Sequence, residues 1–512
     1  MISDYRPLYP YMLLTFAALV VALAGAFTAH RRSAWLGWAT SAASLAALWL
    51  DWHAPASRPW QGLLDFGGYS KAFDGVFLAT LAIVAAGSAA GERRMRFAGE
   101  YYALLIFSTM GLMLMAAGNS LLILYLGLEL STISLFALVG FAKREKRSAE
   151  AALKMFILGS VASAVILYGA SILYGVMAST MGAAGSTQLE KIAQALEGMQ
   201  GSYAAALWLG IVLVLAGLGF KIAAVPFHLW APDVYEGAPA TVSAYLSTAS
   251  KAGGFAALIR VLLVALPAMG DRWSMIIVLL AALSMTLGNL VALSQTNLKR
   301  LLAYSGIAQA GYVLVGLSGA AVDPALATSA VLMYLFLYAF TNVGGFLVAQ
   351  AIYDATGSDQ VIALRGLHRR APGLAFAMLI ILFSLGGIPP LAGFVGKVYL
   401  FAAAWKGGQP GLVVLGALIS VAALYYYLMV ALQVYIRDPE DDRRMLAGRP
   451  LGWAIAVCVA ATLAIGIYPA PWVRLGDRAG TAIVRRASTP LIGEFSSPPS
   501  VPAQAPRSVV SN

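Results

Sequence analysis

The chain has 512 residues, of which 60% are apolar and only 11% charged, and its mean hydropathy is +0.78. A soluble domain carries about a quarter charged residues, so the composition excludes an ordinary soluble protein and defines an all-α polytopic membrane protein. The formal net charge of +11 would suit a nucleic-acid partner, but its distribution along the chain assigns it to membrane topology and leaves no nucleic-acid role.

In chain order, about fourteen apolar stretches are long enough to cross a hydrocarbon core of about 30 Å. They fall near 9–28, 34–50, 72–90, 100–117, 119–141, 151–176, 203–225, 239–266, 273–293, 301–319, 324–352, 371–405, 410–436 and 451–468. The first is longer than a signal-peptide core and has only Arg6 ahead of it, so it is expected to remain as a span. Six alternate loops carry eighteen basic residues: Arg31, Arg32, Arg93, Arg94, Arg96, Lys143, Arg144, Lys146, Arg147, Lys299, Arg300, Arg365, Arg369, Arg370, Arg437, Arg443, Arg444 and Arg449. The opposite loops carry six, namely Arg6, Arg58, Lys71, Lys191, Arg272 and Lys406. This bias places the rich side in the cytoplasm and both termini outside.

The loop 51–71, with Asp51, His53, two prolines and a Gly-Gly pair, is expected to be an ordered external hairpin. Within 179–202, the amphipathic LEKIAQALEGM predicts a short helix at the outer surface. Residues 1–470 read as one membrane domain, and 487–512, rich in Ser, Pro and Ala, as a disordered external tail. Cys458 is the one cysteine, so neither an intrachain disulfide nor a cysteine metal cluster is expected.

Two spans are expected to be broken. FKIAAVPFHLWAPDVYEGAP places Pro226 five residues after Lys221, and LGGIPPLAGFVGKVYLF places Pro389 and Pro390 before Lys397. Proline removes a backbone donor and clashes with the preceding turn, and open backbone at membrane depth is tolerated only where protein or water satisfies it. Broken helices in corresponding halves point to transport sites built on inverted repeats. Here they fall in the seventh and twelfth spans, consistent with two five-helix repeats over about 100–266 and 273–436.

Charged groups inside spans are costly and by default mark an ion or proton path. Glu129 lies in LLILYLGLELSTISLF with only hydroxyls for company; it reads either as a structural partner for a neighbouring helix or as half of a Glu–Lys switch. Lys221 ends a helical half far from both ends of its span, which favours a relay over snorkelling. In a low-dielectric site, modest movement of a nearby carboxylate decides whether such a lysine holds its proton. Lys251 sits in AYLSTASKAGGFAAL, whose small residues leave room for water or close packing. Lys397 reads as an exit station or an interfacial anchor.

Other charges read more blandly. Arg260, toward the outer end of its span, is expected to snorkel. Glu150 and Lys154 form a local i, i+4 pair. Asp233 and Glu236 lie on the cytoplasmic side of the first break, either gating proton entry or solvated, and His228 close after Pro226 is suggestive only.

At these segments the sequence resembles a known family. FKIAAVPFHLWAPDVYEGAPATVSAYLSTASKAGGFAAL, GNLVALSQTNLKRLLAYSGIAQAGYVLVGL and GGIPPLAGFVGKVYLF are similar to the proton-antiporter-like membrane subunits of respiratory complex I, over roughly 70–470. PDVYEGAP follows the wording of one branch and differs from the sister subunits L and M. The resemblance implies an antiporter-like fold and a hydrated relay in which Glu129, Lys221, Lys251 and Lys397 pass protons from the cytoplasm outward. It implies a bacterial inner membrane, periplasmic termini, and hetero-oligomeric neighbours, among them subunits M, K and J. NADH, FMN, iron–sulfur clusters and quinone would belong to partner subunits, with no cofactor here. Two departures stand out: Gln309 where the family commonly has histidine, and Gly306 in place of serine. The rival readings are a multisubunit cation/proton antiporter or membrane-bound hydrogenase subunit, a passive scaffold, and a small-solute carrier.

Overall fold

A chain this poor in charge can satisfy its backbone inside a bilayer only by helices or a closed barrel. The computed structural model is helical, with three isolated bridge pairs and no strand among the described residues, which are 2–27, 34–55, 62–89, 97–181, 186–197, 203–439 and 444–487. Arg31, Arg32, Arg58, Arg93, Arg94, Arg96, Arg443 and the tail from 488 onward lie outside them.

Helices α1 (Tyr9–Phe27), α2 (Ala34–His53) and α3 (Gly68–Ser88) pack in succession, with α4 (Ala98–Ala117) against α1. Next come α5 (Leu121–Val139), α6 (Lys146–Met181), the short amphipathic α7 (Leu189–Glu197), α8 (Ala204–Lys221) and α9 (Trp230–Gly237). The eighth span is composite: α10 (Ala240–Tyr245), a π-helical turn over Leu246–Ser250, α11 (Lys251–Arg260) and a second π turn over Val261–Ala265. The second half holds α12 (Gly270–Ala292), α13 (Leu298–Ser318), α14 (Pro324–Thr356), α15 (Leu367–Arg370), α16 (Pro372–Gly386), α17 (Ala392–Lys406), α18 (Pro410–Tyr435), α19 (Arg449–Ile467) and α20 (Ala470–Ala487).

Twelve of these helical segments are long and apolar enough to cross a membrane by length and composition. The twenty-residue α2 also has spanning length at about 1.5 Å per residue. Helices α16 and α17, fifteen residues each, together make one broken span, which brings the architecture to the expected fourteen. Caps fix several starts: Ser120 accepts from Leu122 N, Asn297 from Arg300 N, and Asp323 from Leu326 N ahead of Pro324.

Small residues bring helix axes together. A Cβ on Gly111 would lie 2.5 Å from Ser131 N, so α4 and α5 touch backbone to backbone. A Cβ on Gly311 would meet Met285 N at the same distance, which draws α13 onto α12.

Helix α20 was not expected from the sequence, and it extends the packed domain past residue 470 to Ala487. Trp472 stacks on Phe336 with centroids 4.6 Å apart, Ser329 donates to Asp477 at 2.7 Å, and Gly476 and Gly480 lie directly on the backbone of α14. The expected hairpin over 51–71 is not what the described residues form: Asp51 and His53 end α2, and 62–67 pair with the segment after α4, where Asp65 N donates to Ala117 O and Leu63 O accepts from Asn119 N. Lys71, read as a loop residue, instead lies in the first turn of α3 and donates to Ala54 O.

Candidate functional site

The seventh span ends as a helix at Lys221 because the chain then turns through Ala223, whose φ of +57° is left-handed, toward Pro226. The freed backbone is satisfied by protein: Val225 N donates to Ser284 Oγ of α12 at 2.9 Å, and Phe220 O accepts from Trp230 Nε1 at 3.0 Å. The twelfth span breaks at Gly387, φ +84°, which closes α16. Here Gly393 N donates to Ser384 Oγ at 3.0 Å. The open carbonyls of Leu385 and Gly386 accept from Lys397 Nζ at 3.1 and 3.3 Å. A cation at a helix C-terminus is the favourable placement for the helix dipole.

Lys221, Lys251 and Lys397 are 6%, 2% and 5% exposed, which removes the snorkelling reading of Lys221 and the interfacial-anchor reading of Lys397. Lys221 donates to Thr132 Oγ1 of α5 at 2.9 Å. It borders a cavity of about 20 Å³ lined also by Ser163, Trp230 and Ser250, room for about one water. Glu129 is a correction to its reading as a buried group: it is partly exposed at the edge of α5. Tyr125, one turn earlier, is its hydrogen-bonding neighbour, and its Oε1 is buried without a partner. No ion pair joins Glu129 to Lys221, whose ammonium donates to Thr132 instead.

Lys251 follows the π turn directly, and such insertions frequently occur at functional sites. Its Nζ donates to Gly306 O of α13 at 2.5 Å and lies 5.9 Å from the Tyr338 ring centroid. A Cβ on Gly306 would sit 3.0 Å from Tyr338 Oη and 3.3 Å from Lys251 Nζ. Gly306 therefore leaves this space to the ammonium and the phenol.

From Lys251 the polar groups continue to Lys397. Tyr338 stacks with Tyr334, centroids 6.3 Å apart, and Tyr334 donates to Gln309 Oε1. Gln309 Nε2 donates to Leu385 O at 3.1 Å, the same carbonyl that holds Lys397. Lys397 also donates to Ser420 Oγ of α18 at 2.9 Å and lies 4.6 Å from the Tyr312 ring centroid. Gln309 thus bridges Tyr334 to the carbonyl that holds Lys397. Sequence reasoning missed Tyr334 and Tyr338; their i, i+4 spacing on an apolar helix gave the signal.

Beyond the first break, α9 is held in an ion-pair network. Arg300 reaches Asp233 at 2.6 Å and Glu236 at 3.1 Å, and Lys154 bridges Asp233 and Glu150, both at 2.8 Å. Burial pushes the Asp233 carboxyl up, but the hydrogen bonds from Lys154 and Arg300 outweigh it and hold the group below the usual carboxylate range. Asp233 and Glu236 are therefore committed partners rather than freely solvated loop residues. His228 is buried beside the break, with Nδ1 unpartnered.

Arg260 does not snorkel. It is fully buried, donates Nε to Ala116 O at 2.5 Å, pairs with Asp65 at 3.4 Å and lies 4.9 Å from the Tyr69 ring centroid. A guanidinium with partners on three sides has no need to reach the interface.

A broken-helix membrane unit with buried lysines at both breaks is the architecture of a proton-antiporter-like subunit. The transmembrane-domain profile of the NADH:quinone oxidoreductase/Mrp antiporter family matches residues 118–422, and the chain belongs to that family. Within it, the chain is 44% identical over 389 residues to NADH-quinone oxidoreductase subunit N of Heliobacterium modesticaldum, covering 76% of this chain and 79% of that one. It is 37% identical to NAD(P)H-quinone oxidoreductase subunit 2 of Gloeothece citriformis, over 95% of this chain and 94% of the other. Among solved structures, a chain of respiratory complex I from Thermus thermophilus with bound aureothin is 33% identical, with a TM-score of 0.75, covering 91% of this chain and 98% of that chain. A chain of the Mrp complex from Dietzia sp. DQ12-45-1b shares the fold alone, at a TM-score of 0.80 and 21% identity over 95% of this chain and 98% of that one.

Proposed function

We propose that the chain is the proton-translocating membrane subunit of an NADH:quinone oxidoreductase, of the subunit N type, and that Glu129, Lys221, Lys251 and Lys397 carry the proton. The observation that carries this reading is the run of buried polar groups from Lys221 through Lys251, Tyr338, Tyr334 and Gln309 to Lys397, placed between two helix breaks. A proton enters beside the Asp233–Arg300 network, loads Lys221 when Glu129 moves away, passes to Lys251 across the water-sized cavity near Ser250, and leaves by Lys397. A lysine suits each station because burial makes its charge costly and a neighbouring charge restores it.

The chain itself transfers no electrons in this reading. NADH oxidation with FMN and iron–sulfur clusters, and quinone reduction, take place in partner subunits, and charge rearrangement there drives the relay. The neighbours are the antiporter-like subunit M and the small subunits K and J, in a bacterial inner membrane with both termini periplasmic. The glycine-mediated contact of α4 with α5, matched by that of α12 with α13, supports two five-helix repeats, about 100–266 and 273–436.

The test is purification of the tagged chain in mild detergent. Co-purifying flavin and iron–sulfur absorption with NADH:quinone reductase activity is the expected result. Recovery with other hydrophobic subunits but no redox centres would instead give the cation/proton antiporter reading and refute this one.

A further inference from the structure

Helices α1, α2 and α3 hold a second set of buried charges that the lysine path does not use. Asp51 and Asp74 are 3% and 1% exposed. One carboxylate oxygen of each, Asp51 Oδ2 and Asp74 Oδ1, is without a hydrogen-bond partner, as is the buried Tyr11 hydroxyl. Tyr11, Lys71 and Arg260 are the nearest ionisable neighbours of the two carboxylates.

The charges facing the pair can be counted element by element. Helix α1 brings Tyr11, α2 brings Asp51, α3 brings Lys71 and Asp74, and the eighth span brings Arg260. Asp65, from the segment before α3, is paired with Arg260. Helix α20, also packed on α3, turns Asp477 to Ser329 and leaves Arg474, Arg478 and Arg485 exposed. The ionisable residues of α4, Glu100, Tyr101 and Tyr102, lie together at the far, N-terminal end of that helix. Arg260 thus pairs with Asp65, and Lys71, whose ammonium donates to Ala54 O, is the one remaining cation for two carboxylates and makes an ion pair with neither. At least one buried carboxylate is therefore without a counter-charge, an unfavourable arrangement if it stays ionised.

We propose that Asp51 and Asp74, with the Tyr11 hydroxyl beside them, form a proton-binding site separate from the lysine path, in which one of the two carboxyls holds an exchangeable proton. Two carboxyl groups sharing a site favour one ionised and one neutral member. A proton on either carboxyl turns a partnerless acceptor into a donor and removes the cost of burying a second negative charge there. A hard metal cation is a poorer occupant: it gathers about six oxygens, whereas this site offers three partnerless ones and already holds an ammonium and a guanidinium. Arg260 links the site to the span that carries Lys251, nine residues earlier or about 14 Å along the helix.

The test is infrared difference spectroscopy of the purified complex, titrated with acid and base in H2O and D2O. A protonated-carboxyl C=O band that shifts in D2O is expected. It should be lost in Asp74→Asn and in Asp51→Asn, shifted in Tyr11→Phe, and retained in Lys221→Ala, which separates this site from the lysine relay. No such band, a band indifferent to both aspartate substitutions, or one that emerges only on sodium withdrawal would overturn the proposal. If the variants do not assemble, carbodiimide labelling of the unmodified complex decides the matter, since the reagent needs a protonated carboxyl. Label on Asp51 or Asp74 that fades as pH rises is expected, and its absence at every pH refutes the site.

Discussion

Gln309→Leu tests the link between the middle and the last lysine. Gln309 is buried and makes three contacts: it accepts from Tyr334 and donates to Leu385 O and, at 3.4 Å, to Tyr427 Oη. Leucine keeps much of the volume and removes the amide. Leu385 O still accepts from Lys397, and Tyr427 keeps its 2.6 Å contact with Ser305, so Tyr334 is the group left without a partner. A buried polar group so stranded costs about 1–3 kcal/mol, and thermal unfolding of the complex should record a loss of that order. If the same loss appears in the barrier for proton passage, transfer slows about 5- to 150-fold. The assay is NADH-driven proton uptake into inverted membrane vesicles, read beside the quinone reductase rate. Gln309→His keeps a donor and an acceptor and should pump nearly as the unsubstituted chain does. An assembled Gln309→Leu complex pumping at full rate would refute the reasoning.

Ser284→Ala should strand Val225 N–H at the first break, at a cost of about 1–3 kcal/mol; hydrogen exchange across 222–229 is expected to accelerate, and unchanged exchange would contradict the role given to Ser284. Asp233→Asn should weaken the network around α9 by about 1 kcal/mol at neutral pH, read by thermal unfolding. Because the Asp233 carboxyl is held below its ordinary value, its contribution is complete above about pH 4 and fades as pH falls further. A difference between the two proteins that grows on acidification would reverse that sign.

The two helix breaks and the three lysines were legible in the sequence because proline and a charge inside an apolar run both carry strong local penalties. The fate of Arg260 was not, since position within a span says nothing of Asp65 and Ala116 O, contributed from 195 and 144 residues away. Glu129 was placed too deep for a similar reason: its helix is apolar on all sides, so the pattern does not reveal which face meets the bundle. The π turn before Lys251 has no sequence signature, and arises where Asn342 of α14 donates to Ser247 at 2.6 Å. Helix α20 did have a signal, an apolar stripe at Trp472, Val473, Leu475, Ala479 and Ile483, hidden by the polar residues between. The loop reading of Lys71 concealed the Asp51–Asp74 pair, because a charge near a span end normally belongs to water.

The central claim, that buried lysines move protons through this chain, is tested most directly at Lys221. Lys221→Ala and Lys221→Arg should each be measured for NADH-driven pumping in complexes shown to retain flavin, iron–sulfur centres and partner subunits. Arginine keeps the charge but does not release its proton, so the relay account expects both variants to lose coupled turnover several-fold with assembly intact. Full pumping in Lys221→Ala, or recovery in Lys221→Arg, would contradict it.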